Sequence, residues 1–287
     1  MGGPCSIQLY AESENEAALH AKSAMDEVYR LEVKYSRYRD DSVISKINAA
    51  SLRGGEIKVD DETAGILNYA ETVLHESKGL FDVTSGVLRK VWDFKSGTLP
   101  NQRSIEAILP LVGWDKLNWS NGLLAFPLSG IELDFGGIVK EYAVDRAVAV
   151  CLQLGVQHGL VELGGDIRVI GSHPDESPWM VGIRNPRIPE QAIARVPLQQ
   201  GGLASSGDYE RYMMVNGVRY SHLLNPSTGW PVKSLASVTV VADQCLIAGS
   251  ATTIAMLKGE QGLAWLELLG LPYLAIDQNG VHHGSLQ

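Results

Sequence analysis

The residue types with the clearest potential for chemistry lie in segment 131–147 (IELDFGGIVKEYAVDRA). A short apolar stretch, predicted to be a strand, ends at the carboxylate of Asp134. Gly136 and Gly137 then allow a sharp turn or the close approach of a ligand. The apolar spacing after them predicts a helix with Lys140 in its first turn, and a helix N-terminus behind a Gly-Gly corner suits an anion such as phosphate. An ordinary strand-to-helix turn with a solvated lysine fits the same spacing.

Three other segments carry groups that could bind or react. The clearest hairpin, 212–223, has an Asn-Gly turn and places His222 near the end of its second strand. The loop 80–86 (LFDVTSG) presents a carboxylate and two hydroxyls after a helix end, where sites are frequent. Segment 35–42 (YSRYRDDS) interleaves tyrosines and arginines that could stack on a base or flavin ring, or that simply anchor a helix end. The alternative for His222 is a hydrogen-bonded structural histidine.

Several familiar chemistries are excluded by pattern. The sequence has no Walker loop, no Gly-x-Gly-x-x-Gly fingerprint and no nucleophile elbow. His282 and His283 are adjacent and do not share a helix face, so we expect no metal site there. Cys5, Cys151 and Cys245 are far apart and form no metal spacing, which favours buried or free thiols in a reducing compartment.

The composition is that of a soluble globular protein, with 287 residues of which 45% are hydrophobic and 20% are charged. The net charge of −9 and the lack of a basic cluster predict no nucleic-acid partner. No apolar run reaches the ~18 residues of a membrane span, and no signal peptide is visible. We therefore expect a cytoplasmic location for the sequence as written, or a periplasmic one if a leader has been removed.

The elements that must position these groups follow a mixed order. Helices dominate early, and hairpins with one inserted helix follow. This order predicts an α+β fold of antiparallel sheets with packed helices rather than a doubly wound parallel sheet. We expect two interleaved lobes around one cleft, within a single domain of residues 1–287. Residues 131–134 are predicted to form a hairpin with 123–126, and 201–208 (GGLASSGD) is predicted to leave its backbone open to a ligand.

Four ordered motifs resemble the ApbE family, the FAD:protein FMN transferases, and the resemblance covers nearly the whole chain. The motifs are DFGGIVKEYAVD at 134–145, VELGGDIR at 161–168, SGDYERY at 206–212 and YSHLLNPSTGWP at 220–231. The early segment 35–42 and the loop at 81–84 (FDVT) resemble the family as well. Any one motif alone is weak, whereas four in the family's order are specific.

The resemblance implies an activity and a set of site residues. Family members bind FAD in a cleft with Mg²⁺ on its pyrophosphate, and they transfer the FMN half to a Thr or Ser hydroxyl of an acceptor flavoprotein, which releases AMP. By position, Gly137 and Thr253 would bind the metal, and His222 would be the general base, since an unperturbed imidazole titrates near neutrality. The residues that would contact or line the FAD site are Phe81, Asp82, Asp134, Lys140, Leu223 and Leu224.

One departure from the family concerns the metal. The family usually has an Asp that binds the metal at the position of Gly249, in the segment 249–253 (GSATT). Loss of that carboxylate should weaken a Mg²⁺ site, because Mg²⁺ requires hard oxygen ligands. Water, Ser250, Asp243 or Asp166 could compensate. On this reasoning, Gly249→Asp is expected to tighten the dependence on Mg²⁺.

Two functions from different classes therefore fit the sequence. The first is an active, metal-assisted flavin transferase that acts on a protein, and the retained FAD motifs and His222 favour it. The second is a flavin-binding homologue without transfer chemistry, and Gly249 favours it. Hydrolysis of FAD to FMN and AMP would use the same site as transfer, with water as the acceptor.

Overall fold

A computed structural model describes residues 3–188 and 190–286 of the chain. Its strands, in chain order, are β1 (Cys5–Leu9), β2 (Glu56–Lys58), β3 (Asn118–Ser120), β4 (Leu123–Ala125), β5 (Gly159–Leu163), β6 (Asp166–Gly171), β7 (Trp179–Arg184), β8 (Ala192–Leu198), β9 (Gly202–Gly207), β10 (Tyr212–Val215), β11 (Val218–Ser221), β12 (Leu235–Ala242), β13 (Tyr273–Asp277) and β14 (His282–Gly284). Its helices are α1 (Glu14–Tyr35), α2 (Val43–Leu52), α3 (Asp61–Glu76), α4 (Gln102–Ile108), α5 (Val139–Gln153), α6 (Cys245–Lys258) and α7 (Gly262–Leu269). A longer 3-10 helix spans Val83–Lys90.

Local sequence rules set several of these boundaries. The Ser42 hydroxyl accepts from the backbone N–H of Ser45 at 3.1 Å and caps α2, and the Asp60 carboxylate caps α3 in the same way. Between β10 and β11, Asn216 and Gly217 adopt φ values of 50° and 76°, as a type I′ hairpin turn requires. No helix of the described residues has both the length and the apolar character needed to cross a lipid bilayer.

The main sheet separates two cores. In the described part of the chain it contains seven antiparallel strands in the order β1-β5-β6-β9-β12-β13-β14. Alternate residues of β13 face opposite sides, as the pleat of a strand dictates. Tyr273 and Ala275 lie in the core that includes α5 and α6, whereas Leu274 and Ile276 lie in the core formed with the β7–β8 hairpin. This arrangement confirms the predicted α+β fold with antiparallel sheets and packed helices.

A smaller lobe has a core of its own. The 3-10 helix Val83–Lys90, α4 and the β10–β11 hairpin share a cluster built around Trp92, Leu88 and Met213. The Trp92 indole also donates to the carbonyl of Gly229 at 2.7 Å, and this bond ties the turn after β11 to the lobe. The hairpin that carries the predicted base is therefore attached to a different core from the helix that carries Lys140.

Two local predictions were wrong. Residues 131–134 belong to no strand, because their backbone bonds with other partners. The N–H and carbonyl of Leu133 bond to the side chain of Asn48, and the Asp134 N–H donates to the Val83 carbonyl. Residues 202–207 are not open backbone either, since they form β9, which pairs with both β6 and β12.

Candidate functional site

The corner before α5 is held by Asp134. Its Oδ1 accepts from the backbone N–H of Gly136 at 2.8 Å, and its Oδ2 pairs with the guanidinium of Arg37. Gly86 lies directly behind it, because a Cβ at that position would be 2.8 Å from the Cβ of Asp134. The Arg37 guanidinium in turn bonds to the Tyr38 hydroxyl at 3.0 Å. The acid thus keeps the Gly-Gly turn in shape and remains about a quarter exposed to solvent.

The interleaved tyrosines of segment 35–42 have separate roles. Tyr35 is buried and packs edge-on against Phe135, with ring centroids 6.0 Å apart, so it anchors the end of α1. Tyr38 is 79% exposed and lies against Arg37. The hydrogen bond and the charge of Arg37, and then the charge of Arg211, lower the pKa of the Tyr38 phenol. Of the two rings, only Tyr38 is free to stack on a ligand.

The loop after α3 supports the same corner. Phe81 is buried beneath Gly137, where a Cβ would be 3.0 Å from the Phe81 ring, so a side chain at 137 would press on that ring. The Asp82 carboxylate accepts from the Thr84 N–H and hydroxyl and from the Trp114 N–H, at 2.7–3.1 Å. Burial raises the pKa of Asp82, although these hydrogen bonds oppose the rise. Its side chain is therefore committed to holding the loop.

Lys140 spans the gap between α5 and the β5–β6 turn. Its Nζ lies 2.5 Å from Oδ2 of Asp166 and 3.6 Å from Oε1 of Glu141. Burial opposes the charged form, but the charges of these two acids raise the pKa of Lys140 above its ordinary value. Asp166 is itself buried, and its Oδ1 accepts from the N–H of Ser205 at 3.1 Å. The lysine therefore already has an anionic partner on the protein, while a third of its side chain remains exposed.

Glu141 is the residue of this group that the sequence reasoning missed. It is only 6% exposed, and its Oε2 has no hydrogen-bond partner in the described residues. Burial, and then the charge of Asp166, raise the pKa of Glu141 to about 8, while Lys140 opposes the rise. The helical spacing could have revealed it, since Glu141, Val144, Asp145 and Val148 share one buried face of α5. An acid on an apolar helical stripe is uncommon unless it has a partner.

Position 249 faces Glu141 from the neighbouring helix. A Cβ added to Gly249 of α6 would lie 2.5 Å from Cγ and 3.2 Å from Oε1 of Glu141. With Glu141 in this position, a side chain at 249 would overlap with it, whereas glycine fits. An aspartate at 249 would overlap with that side chain, so the expectation that Gly249→Asp alone tightens a metal site is not supported by this geometry.

The next turn of α6 presents hydroxyls to β9. Ser206 Oγ lies 2.9 Å from Thr252 Oγ1 and 3.2 Å from Thr253 Oγ1, and Thr253 is half-buried. Of the groups expected to compensate at position 249, Ser250 bonds to the Tyr69 hydroxyl at 2.9 Å and Asp243 is exposed. Asp166 alone among them lies beside Lys140 and Glu141.

His222 follows β11 and is held by the chain that precedes the hairpin. Its backbone N–H and its ring Nδ1 both contact the carbonyl oxygen of Arg211, at 2.9 Å and 3.1 Å. Since a carbonyl only accepts, Nδ1 carries the proton and Nε2 is left with a free lone pair. Burial, and then the positive charges of Arg211 and Lys140, lower the pKa of His222 to about 4. The expected titration near neutrality is thus not what this environment produces.

Comparison with known proteins decides the family. The sequence profile of the ApbE family matches residues 1–275. The chain is 30% identical to the FAD:protein FMN transferase of Vibrio cholerae, over 84% of this chain and 74% of the relative, and 32% identical to the enzyme of that name from Haemophilus influenzae, over 79% and 69%. The chain belongs to the ApbE family.

Solved ApbE structures share the whole fold. The ApbE protein of Thermotoga maritima superposes with a TM-score of 0.91 at 30% identity, covering 99% of this chain and 94% of that one. The apo form of the Pseudomonas stutzeri flavinyl transferase ApbE gives 0.87 at 30% identity, covering 99% and 92%. The family and the transferase class expected from the motifs are confirmed by these matches.

The predicted ApbE site residues fall into two neighbouring groups. Phe81, Gly137 and Asp134 form the corner before α5. Lys140 and His222 form the second group, since the lysine is close enough for its charge to lower the pKa of the imidazole. Leu223 packs against the core that contains α5 and α6, whereas Leu224 packs against the core of the smaller lobe. The segment after His222 therefore bridges the two lobes.

A cavity beside Asp82 is a different feature. It has a volume of about 390 Å³ and lies between the loop after α3 and the turn after β11. Its lining includes Asp82, Trp114, Pro226 and Ser227, but none of the other residues predicted to contact FAD or metal. Of the predicted residues, Phe81, Asp134 and Gly137 lie together at the corner before α5.

The donor chemistry beside Lys140 fits the divalent cation that the ApbE family implies. Within residues 3–188 and 190–286, no three His, Cys, Asp or Glu side chains converge as a metal centre. The buried carboxylates of Glu141 and Asp166 nevertheless flank the ammonium of Lys140, and Thr253 adds a hydroxyl on the adjoining helix. Mg²⁺ prefers such oxygen donors, and one oxygen of Glu141 is unpartnered.

Proposed function

We propose that the chain transfers the FMN half of FAD to a Thr or Ser hydroxyl of an acceptor flavoprotein, with release of AMP. The names of the ApbE relatives support flavin transfer, and the motifs for FAD support the same substrate. The observation that carries the proposal is the state of His222. Its Nδ1 is bound to a carbonyl and its Nε2 is free, beside the positive charges of Arg211 and Lys140.

These charges suit a phosphate ester substrate. Phosphoryl transfer needs positioning and charge neutralisation more than covalent help from the protein. The positive charges of Arg211 and Lys140 both act on His222, although Lys140 also pairs with Asp166. A bound pyrophosphate would meet the same positive charges of Arg211 and Lys140 that act on the imidazole.

His222 is the proposed general base. Its Nε2 takes the proton of the acceptor hydroxyl while the hydroxyl oxygen attacks the phosphorus of the FMN half. The new O–P bond forms as the bridging P–O bond of the pyrophosphate breaks, and AMP leaves with the bridging oxygen. With a pKa of about 4, the imidazole is neutral at pH 7 and able to accept a proton. The negative charge of bound FAD would raise that pKa and make the base stronger when substrate is present.

A divalent cation is proposed to assist. When bound, Mg²⁺ would neutralise negative charge on the pyrophosphate. The family's pattern assigns it the carbonyl of Gly137 and the hydroxyl of Thr253, and the carboxylate of Asp166 lies beside Lys140 in the same region. Lys140 and Asp166 together keep fixed charges at the start of α5, so little reorganisation is needed when FAD arrives.

The test is an incubation of the protein with FAD, Mg²⁺ and an acceptor flavoprotein that carries a target Thr, with the acceptor read by intact mass. We expect the acceptor to gain one FMN, and a chelator to abolish the gain. Production of FMN and AMP with an unmodified acceptor would instead identify an FAD hydrolase. Intact FAD, tightly bound and unreacted, would identify a flavin-binding protein.

His222→Ala tests the assigned base. We expect transfer to fall by about 10²–10⁴-fold, the usual contribution of general base catalysis, while FAD affinity changes by about twofold or less. The matched control is His282→Ala, which removes an exposed histidine of β14 and should leave transfer unchanged. Normal transfer in His222→Ala would remove this residue from the mechanism.

A further inference from the structure

A buried carboxylate on α5 fills the space in front of position 249. Gly249 has no room for a Cβ, since the nearest atom would be Cγ of Glu141 at 2.5 Å and the next its Cδ at 3.1 Å. The side chain of Glu141 therefore occupies the volume that any side chain at 249 would enter. Its carboxylate reaches this volume from α5, whereas a side chain at 249 would reach it from α6.

The same carboxylate is incompletely bonded. Glu141 is only 6% exposed, and its Oε2 has no hydrogen-bond partner among the described residues. Buried carboxylate oxygens are almost always hydrogen-bonded, and an exception points to a missing partner. Lys140 does not supply it, because its Nζ is 3.6 Å from the other oxygen, Oε1, and 2.5 Å from Asp166.

We propose that Glu141 supplies a carboxylate ligand to a divalent cation, together with Asp166, and thereby takes the place of an acid at position 249. The carboxyl groups of Glu141 and Asp166 bring hard oxygen donors together in a buried place, and a divalent cation would supply the partner that Oε2 of Glu141 lacks. This inference deepens the proposed function, because that function calls for a cation near the pyrophosphate. It adds a ligand that comes from a different helix.

The probe for the test is Mn²⁺, whose free aqueous ion is counted by electron paramagnetic resonance. Binding is titrated with and without FAD, after subtraction of a blank that contains FAD alone. Glu141→Gln keeps the shape of the side chain and removes its charge, and we expect Mn²⁺ affinity to fall at least tenfold. Asp243→Asn is the matched control, because it neutralises an exposed acid just before α6, and its affinity should equal that of the wild type.

Moving the carboxylate from α5 to α6 tests whether side chains at positions 141 and 249 share one space. Glu141→Gly alone should lose Mn²⁺ affinity as Glu141→Gln does, and Gly249→Asp alone should also lose it because the two side chains overlap. The double variant, Glu141→Gly with Gly249→Asp, should recover affinity to within a few-fold of the wild type. Thermal unfolding of each variant, followed by circular dichroism, confirms that the affinities are measured on folded protein.

The outcomes separate this inference from the proposed function. Wild-type Mn²⁺ affinity in Glu141→Gln, or no Mn²⁺ binding by the wild type, overturns the inference. A folded double variant that binds Mn²⁺ no better than Glu141→Gly would show that side chains at positions 141 and 249 do not reach the same cation. Glu141-dependent binding in a protein that transfers no FMN leaves the inference standing and rejects the transferase. FMN transfer by a protein whose Mn²⁺ affinity does not depend on Glu141 would overturn the inference and leave the proposed transferase standing.

Discussion

Glu141 and Asp145 lie one turn apart on the same face of α5, and both are buried. Asp145 accepts three hydrogen bonds at 2.9–3.0 Å, from the guanidinium of Arg168 and from the backbone N–H groups of Cys245 and Leu246. It therefore caps the N-terminus of α6, whose own N-cap residue supplies no side-chain bond. Glu141 faces the same helix one turn further along and has an oxygen with no partner.

The contrast is between an acid that is fully bonded within the fold and an acid that is not. A carboxylate that is fully bonded to the protein is stabilised in its charged form and fixes two elements together. A buried carboxylate without a full set of partners lowers the stability of the fold. A protein keeps such a residue where a ligand supplies the missing partner. The predictions below test whether this division between the two acids is real.

Asp145→Ala should have the largest effect on stability. It leaves the guanidinium of Arg168 and two backbone N–H groups of α6 without their acceptor, and loss of such a partner costs about 3 kcal/mol. Urea denaturation of the wild type and the variant measures the difference in the free energy of unfolding. A loss below about 1 kcal/mol would mean that Asp145 is not the structural acid described here.

Arg168→Met should have an intermediate effect. The Met side chain keeps much of the apolar stem of Arg168, while Asp145 retains its two bonds to the start of α6. We expect the free energy of unfolding to fall by about 1.5 kcal/mol, the value of one hydrogen bond to a charged group. A loss as large as that of Asp145→Ala would show that the ion pair, rather than the helix cap, is the main contribution of Asp145.

Glu141→Gln should have the smallest effect on stability near pH 5, and it should alter the pH dependence. The folded-state pKa of Glu141, about 8, exceeds its unfolded value of 4.5, so folded protein retains a proton that the unfolded chain has released. This group therefore makes the metal-free wild type less stable as pH rises from 4.5 to 8. The glutamine variant should lack that decline.

His222 provides an internal control for this pH profile. The pKa of His222 is lowered to about 4, so His222 makes the fold less stable as pH falls from 6.5 to 4, in the opposite sense. The wild type and Glu141→Gln share that slope, so the difference between their profiles isolates Glu141. Identical profiles would show that Glu141 titrates as an ordinary solvated acid.

Much of the molecule was predictable because its determinants are local. The caps at Ser42 and Asp60 and the Asn216–Gly217 turn follow from residues within one turn of each other. The ordered motifs were specific enough to predict the family and its α+β fold. Local chemistry also located the corner at Gly136 and the hairpin that carries His222.

The rest depends on contacts between distant parts of the chain. Residues 131–134 alternate apolar and acidic side chains, as in a strand, but their backbone bonds with Asn48 and Val83. The low pKa of His222 comes from burial and from charges on other segments. The fit between Glu141 and Gly249 joins two helices, and neither residue alone reveals it. Each of these features requires the tertiary structure.

The most direct measurement is a crystal structure of the protein with FAD and Mn²⁺, with data collected at a wavelength where manganese scatters anomalously. The division between the two acids predicts an anomalous peak about 2.2 Å from a carboxylate oxygen of Glu141, with Asp145 still bonded to Arg168 and the start of α6. A manganese peak that does not touch Glu141, or no peak beside Lys140 and Asp166, would contradict it.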